Sequence, residues 1–232
     1  MNDSAFLELC KEGSLQQIND AIKNGAKVNA KNDKGSTPLM LAAGNNSNPG
    51  VITALINADA IVDARDDIGR TSLIRAAAYN SNPEVITTLI KAGADIKAKC
   101  NDGLTPLMWA AGKNPDPEVV TALIKAGAEV NVIGDKTPIG WALHNPNPEV
   151  ITALINGGAD VEARNELGVT PLMMAASQGD TNPEVIKALI KGGANVNARA
   201  PDGTTTALML ATMASNPNQE IITALINAGA TK

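Results

Sequence analysis

One short string returns along the whole chain. TPLM occurs at Thr37, Thr105 and Thr170, with the variants TSLI at Thr71, TPIG at Thr137 and TALM at Thr206, so successive copies lie 34, 34, 32, 33 and 36 residues apart. A second string keeps step with it: NPGVITALI from Asn48, NPEVITTLI from Asn82, DPEVVTALI from Asp116, NPEVITALI from Asn147, NPEVIKALI from Asn182 and NQEIITALI from Asn218. A third closes each unit, from NGAKVNA at Asn24 to GGANVNA at Gly192, with a truncated AGA at Ala228. A period in this range is the mark of one supersecondary unit stacked on copies of itself. It also settles how to read 232 residues, a length that falls between one ordinary domain and two.

Each string has a local physical meaning. Thr before Pro puts a hydroxyl at a helix N-cap and a ring at the first helical position, where a missing N–H costs nothing. Asn or Asp before Pro and Glu repeats the device for a second helix, with the carboxylate near the positive end of the helix dipole. The pattern predicts a second helix from Pro83 to about Ala92, with Val85, Ile86, Leu89 and Ile90 on one apolar face. Gly93 is expected to end it in the left-handed conformation, and Asp59 fills the same slot one unit earlier. Segments such as Ala94 to Leu104, with Asp102 and Gly103 at a turn, read as tight hairpin-like fingers. Helices of about seven and ten residues are marginal alone. They must share a continuous core with their neighbours.

A finger, two antiparallel helices and a period near 33 resemble the ankyrin repeat, and the resemblance covers essentially all 232 residues. It implies an all-α solenoid of stacked antiparallel helix pairs with short hairpin-like fingers. The expected organisation is a single domain over 1–232 with seven repeats at approximately 1–32, 33–66, 67–100, 101–133, 134–165, 166–200 and 201–232. In the first, less typical unit, Phe6, Leu9, Cys10, Ile18 and Ile22 take the core positions and Gly13 and Gly25 the turns. The family usually has His after T-P-L; here the position holds Met40, Ile74, Met108, Gly140, Met173 and Met209. The expected role of this methionine stripe is core filling rather than a soft-metal or promiscuous binding surface.

Composition removes several function classes. Four aromatic rings in the whole chain, and 19 Lys and Arg against 24 Asp and Glu, leave no basic groove lined with stacking rings. A net charge of −5 likewise argues against phosphate backbones or anionic membranes as the main ligand. No apolar run approaches the roughly 20 residues that span a bilayer, and the opening MNDSAFLELCKEGS lacks a secretory apolar stretch, so a cytoplasmic location is expected. His144 is the single histidine, and Cys10 and Cys100 are the only cysteines. Two-histidine zinc motifs are excluded by count, no Ser-His-Asp triad or histidine-based metal site is read around His144, and no phosphate-binding glycine pattern occurs. Asp95, Glu129 and Asp160 recur at one repeat position as a solvated face. No catalytic residue, cofactor or metal ligand is expected, and the two cysteines are read as a buried thiol and a finger thiol, too far apart to bond.

Recognition remains. By the resemblance, fingers and first helices line a concave face where partners bind. Two residues beyond the motif's Leu, the row reads Leu41, Arg75, Trp109, Trp141, Met174 and Leu210; farther along the first helix come Tyr79, Lys113 and His144. The finger residues Ile68, Arg70, Asp102, Leu104 and Lys136 are assigned to the same side. Rings and Arg are common interface hot spots, although packing accounts for the Trp row equally well. From Gly127 to Thr137 is ten residues where Gly93 to Thr105 is twelve, so the finger at Ile133 to Asp135 is shortened, leaving either a notch beside Trp141 and His144 or a neutral deletion. The expected function is a non-catalytic module binding a protein partner, with no nucleic acid and no membrane. An engineered or consensus-like scaffold, and a targeting or regulatory domain cut from a larger protein, are the alternatives. A monomer is expected, with weak self-association open to the carboxyl-terminal repeat because it keeps Met209, Met213, Ile222 and Ile226.

Overall fold

In the computed structural model, which describes residues 1–132 and 136–231, every element is a helix. The chain divides into two compact units, Met1–Glu129 and Val130–Lys232. The first holds α1 (Asp3–Glu12), α2 (Leu15–Lys23), α3 (Pro38–Asn45), α4 (Pro49–Asn57), α5 (Ser72–Tyr79), α6 (Pro83–Lys91), α7 (Pro106–Lys113) and α8 (Pro117–Lys125). The second holds α9 (Pro138–Ala142), α10 (Glu149–Asn156), α11 (Pro171–Ser177), α12 (Pro183–Lys191), α13 (Ala207–Met213) and α14 (Gln219–Asn227). In the first unit α1, α3, α5 and α7 pack side by side in one layer and α2, α4, α6 and α8 in a second. The second unit repeats this with α9, α11 and α13 against α10, α12 and α14.

The caps act as the strings require. The hydroxyls of Thr37, Thr71, Thr105, Thr137, Thr170 and Thr206 each accept the N–H three residues on. In α3 and α7 the bond is reciprocated by sulfur: Thr37 N–H donates to Met40 Sδ at 3.4 Å and Thr105 N–H to Met108 Sδ at 3.5 Å. The methionine thus completes a capping box that usually uses Glu or Gln, while its side chain fills the core. Asn48, Asn82, Asp116, Asn182 and Asn218 cap the second helices, and Asn147 Oδ1 does the same for Glu149 N–H at 3.0 Å. Gly93 has φ +90°, and among the described residues Asp59 is the one non-glycine residue in the left-handed region, at φ 64°. Gly13 differs from the expectation of a turn glycine. Its φ is −66°, and it is required for room, since a Cβ there would lie 2.5 Å from Leu9 O.

The fingers contain no strand pairing among the described residues. Each described finger is a tight turn closed by two backbone bonds, as in Asp66 N–H to Arg70 O at 3.1 Å with Gly69 N–H to Asp66 O at 2.8 Å, and Cys100 N–H to Leu104 O at 3.1 Å with Gly103 N–H to Cys100 O at 2.8 Å. Neighbouring fingers join through Asp67 N–H to Lys34 O and Asn101 N–H to Ile68 O. Gly35 and Gly69 make this possible twice over, by positive φ and by leaving space for the side chains of Asp67 and Asn101.

The layers are locked by a polar ladder that the sequence reading missed. Asn46, Asn80 and Asn114 stand at the ends of α3, α5 and α7 with 7%, 3% and 1% of their surface exposed. Asn80 Nδ2 donates to Ala43 O and Asn46 O of the preceding repeat, both at 2.9 Å, and Asn114 Nδ2 to Ala77 O and Asn80 O. The Oδ1 atoms turn forward and accept from Asn82 N–H and Asp116 N–H. A second ladder runs through the turns after the second helices. Asn29 bridges to Asp59 O and Ile61 N–H, Asp63 accepts from Asp95 N–H, and in the second unit Asn131 and Asn197 repeat the bridge. Lys97 occupies this position in the third repeat, and an ammonium cannot accept a hydrogen bond.

The core is aliphatic: Leu39, Met40, Ile52, Leu55, Leu73, Ile86, Leu89 and Val120 are all fully buried, joined by Phe6 and Cys10 at the amino-terminal end. Burial of each large side chain stabilises by about 1.5–3 kcal/mol. Cys10 and Cys100 are both buried and both free.

Two expectations follow. Asn80→Ala removes two buried donations and one acceptance at once, and urea unfolding should show a loss of about 2–4 kcal/mol. Burial pushes the Cys10 thiol up to about 12, above its unfolded value of about 8.5. The neutral thiol therefore contributes stability that is whole below pH 8.5 and drains as the pH rises toward 12. The alkaline slope of the unfolding midpoint should be shallower in Cys10→Ala.

Candidate interaction surface

The partner-facing residues read from the sequence fall in both units. Ile68, Arg70, Arg75, Tyr79, Asp102, Leu104, Trp109 and Lys113 belong to the first, and Lys136, Trp141 and His144 to the second.

In the first unit they separate into covered and open groups. Leu104 is only 5% exposed, because the finger folds its side chain inward, so it offers no surface. Arg75 and Trp109, at equivalent places on α5 and α7, are half-buried. Ile68 at the fingertip and Tyr79 at the end of α5 are about half exposed, at 46% and 53%. Asp102 and Lys113 are also exposed.

Asp66 explains the covering of the arginines, and sequence reading passed over it. Its carboxylate is 1% exposed. Oδ1 accepts from Ile68 N–H and Arg70 N–H and so closes the finger, as Asn32 and Asn165 do in theirs. Oδ2 is then left for cations: Arg70 Nε donates to it at 2.9 Å and Arg75 Nη1 lies 3.5 Å away. Arg75 Nη1 also donates to Ser36 Oγ at 3.2 Å, tying the third repeat to the second. An Asp where Asn32 and Asn165 stand in their fingers, four residues before an Arg, was the available signal. Burial, and next the neighbouring Arg70, pull Arg75 below the usual arginine value; Asp66 and Tyr79 pull it back. Arg75 Nε and Trp109 Nε1 are among the buried donors without an acceptor.

In the second unit Trp141 is half-buried on α9, while Lys136 and His144 are exposed. Helix α9 has five residues against seven or eight in the other TPLM-type helices. Eight residues separate Thr137 from buried Asn145, where nine separate Thr37 from Asn46. The missing residue is absorbed by tightening: His144 N–H and Asn145 N–H donate to carbonyls three residues back, Trp141 O and Ala142 O. Beside this turn His144 lines a shallow cavity of about 260 Å³ with Leu143, Pro146, Gln178, Asp180 and Asn182. The shortened finger at Ile133 to Asp135, and hence the notch beside it, lies outside the described residues.

Among the described residues no three His, Cys, Asp or Glu side chains gather as a metal site, and no helix is long and apolar enough to cross a membrane.

The family model of ankyrin repeats matches the chain in three overlapping copies, over residues 6–100, 77–165 and 139–232. The chain belongs to the ankyrin repeat family. Its ankyrin fold is similar to the crystal structure of the human ASB11 ankyrin repeat domain, with a TM-score of 0.81 at 24% identity, covering 98% of each chain. It is also similar to the ankyrin repeat domain of Bcl-3, described as a unique member of the IkappaB protein family, with a TM-score of 0.71 at 24% identity over 95% of this chain and 97% of that one. A sequence search of curated proteins gives no match.

Asp66→Asn tests how far this ankyrin finger depends on its charge. The amide can still close the turn, but the two guanidinia lose their carboxylate. Breaking a buried pair costs about 3–5 kcal/mol, and the small exposure of both arginine heads lowers the expected loss to about 2–4 kcal/mol by urea unfolding. Adding Arg75→Met should recover part of that loss.

Proposed function

We propose that this ankyrin chain is a non-catalytic module that binds a protein partner through the face built by its fingers and first helices, the concave face of the family. The observation that carries the reading is the side-by-side placement, on packed helices α5 and α7, of exposed Tyr79 and Lys113 next to half-buried Trp109. An open ring and an open cation above a covered indole make the arrangement of interface hot spots, where a partner completes the exclusion of water. Ile68, Arg70 and Asp102 extend this face at the fingers, and Trp141, His144 and Lys136 are the corresponding second-unit residues; Arg75 acts from beneath. The seven repeats are taken as one domain, working in the cytoplasm. The lone histidine supports a role without catalysis, since no second imidazole is present for metal binding or paired acid–base work.

Partners captured on the immobilised chain supply the test. Tyr79→Ala and Trp109→Ala should each weaken a captured partner by 2 kcal/mol or more, roughly thirtyfold, in a variant whose helical circular dichroism is unchanged. Trp141→Ala reports in the same way on the second unit. Unaltered affinity in all three folded variants would remove this face from the reading.

A further inference from the structure

Past the amino-terminal helix α1, which carries Asp3, Glu8 and Glu12, the first layer of the first unit lacks carboxylates. Helices α3, α5 and α7 contain no Asp or Glu, and their only charged side chains are Arg75 and Lys113. Carboxylates sit instead on the second helices, as Glu84 and Glu118 do, and in the fingers. Of the finger acids near Arg75, Asp66 is consumed by two guanidinia and Asp67 is turned over Gly35 of the preceding finger. Asp102 is exposed at the next fingertip. Two arginines on one carboxylate leave an excess positive charge in a partly desolvated place, where charge acts over a longer range than at the open surface.

Geometry concentrates the effect. Arg75 and Tyr79 are four residues apart on α5 and so share a face, and Trp109 and Lys113 repeat the spacing on α7. The offset between the pairs is one repeat of 34 residues, so on these packed helices Arg75 corresponds to Trp109 and Tyr79 to Lys113. The result is a two-by-two checkerboard of cation and ring. Its exposed polar groups are the Lys113 ammonium, which makes no ion pair among the described residues, and the Tyr79 hydroxyl, while Arg75 Nε and Trp109 Nε1 are buried without acceptors.

We propose that the checkerboard of Arg75, Tyr79, Trp109 and Lys113 selects an acidic protein segment, one that sets an Asp or Glu carboxylate against Lys113 and the Tyr79 hydroxyl with an apolar side chain between the rings. The inference rests on the interaction reading above and names the chemistry of the partner. A carboxylate supplies an acceptor for the Lys113 ammonium and offsets the excess positive charge, and a neighbouring apolar side chain covers the exposed ring. A basic segment would meet Arg70, Arg75 and Lys113 with like charge.

The test selects a displayed library of random 16-residue peptides on the intact chain. Selected peptides should be enriched in Asp and Glu next to apolar residues. Lys113→Glu, at an exposed position where the fold is unaffected, should weaken them at least tenfold, and exchanging the critical peptide Glu for Lys should restore binding to that variant. Binding should also weaken as salt is raised. Peptides that lose binding with Tyr79→Ala but carry no acidic enrichment would overturn the acidic partner while keeping the surface. Peptides indifferent to both substitutions would overturn the surface as well. Tighter binding of short DNA or RNA oligonucleotides than of any selected peptide, lost with Lys113→Glu, would overturn the proposal in favour of a nucleic acid.

Discussion

A buried amide at the end of α3, α5 and α7 holds successive helix pairs of the first unit in register. Asn80 and Asn114 each reach two carbonyls of the repeat before them and accept an N–H from the loop ahead. Each therefore belongs to two repeats at once. This matters because among the described residues no helix exceeds ten residues, too few for independent stability. Aliphatic burial gives the stack its free energy but has no direction; a layer of Leu, Ile and Val could slide by part of a turn at small cost. The buried amides cannot slide, since every donor moved off its carbonyl would be left unpaired away from water. Caps, fingers and the surface residues on α5 and α7 keep their places because this ladder fixes the spacing.

Much of this was legible in the residues. The Thr-Pro and Asn-Pro strings place the caps because the chemistry is local: a short oxygen-bearing side chain, a ring, and the first free N–H groups of a helix. The left-handed Gly93 and Asp59 are equally local. The asparagine ladder was not read, although Asn46, Asn80 and Asn114 are spaced by 34 residues, because an Asn in a loop rich in Asn and Pro looks solvated. Its burial comes only from the neighbouring repeat. The same reason explains Leu104 and Asp66. Their sequence position is a fingertip, and their exposure is set by how the finger folds over the helices.

The surface on α5 and α7 shows how one substitution in a repeat acquires a second use. In the fingers that begin at Asn32 and Asn165 the amide oxygen closes the turn with two N–H groups, and the other side-chain atom is an amide nitrogen that cannot hold a cation. Asp66 does the same work with one oxygen and keeps the other, which gathers Arg70 and Arg75. The finger is then clamped to the helix behind it, and a cation is stored under an exposed ring. Rigidity and charge at this face have one source, so a change that alters its electrostatics also alters how firmly the finger is held.

The sulfur caps on α3 and α7 change what kind of environment the repeats respond to. An imidazole at Met40 and Met108, the residue common in the family, would titrate near pH 6.5 and make the start of each first helix sensitive to mild acid. A thioether has no proton to gain. The same exchange introduces a different chemistry, because oxidation turns the weak acceptor into a polar sulfoxide that a closed aliphatic layer cannot accommodate. Both sulfurs are sealed in the core, so an oxidant meets them only when a repeat opens. These two caps are therefore silent to protons and record, irreversibly without a reductase, how often their own helices come apart.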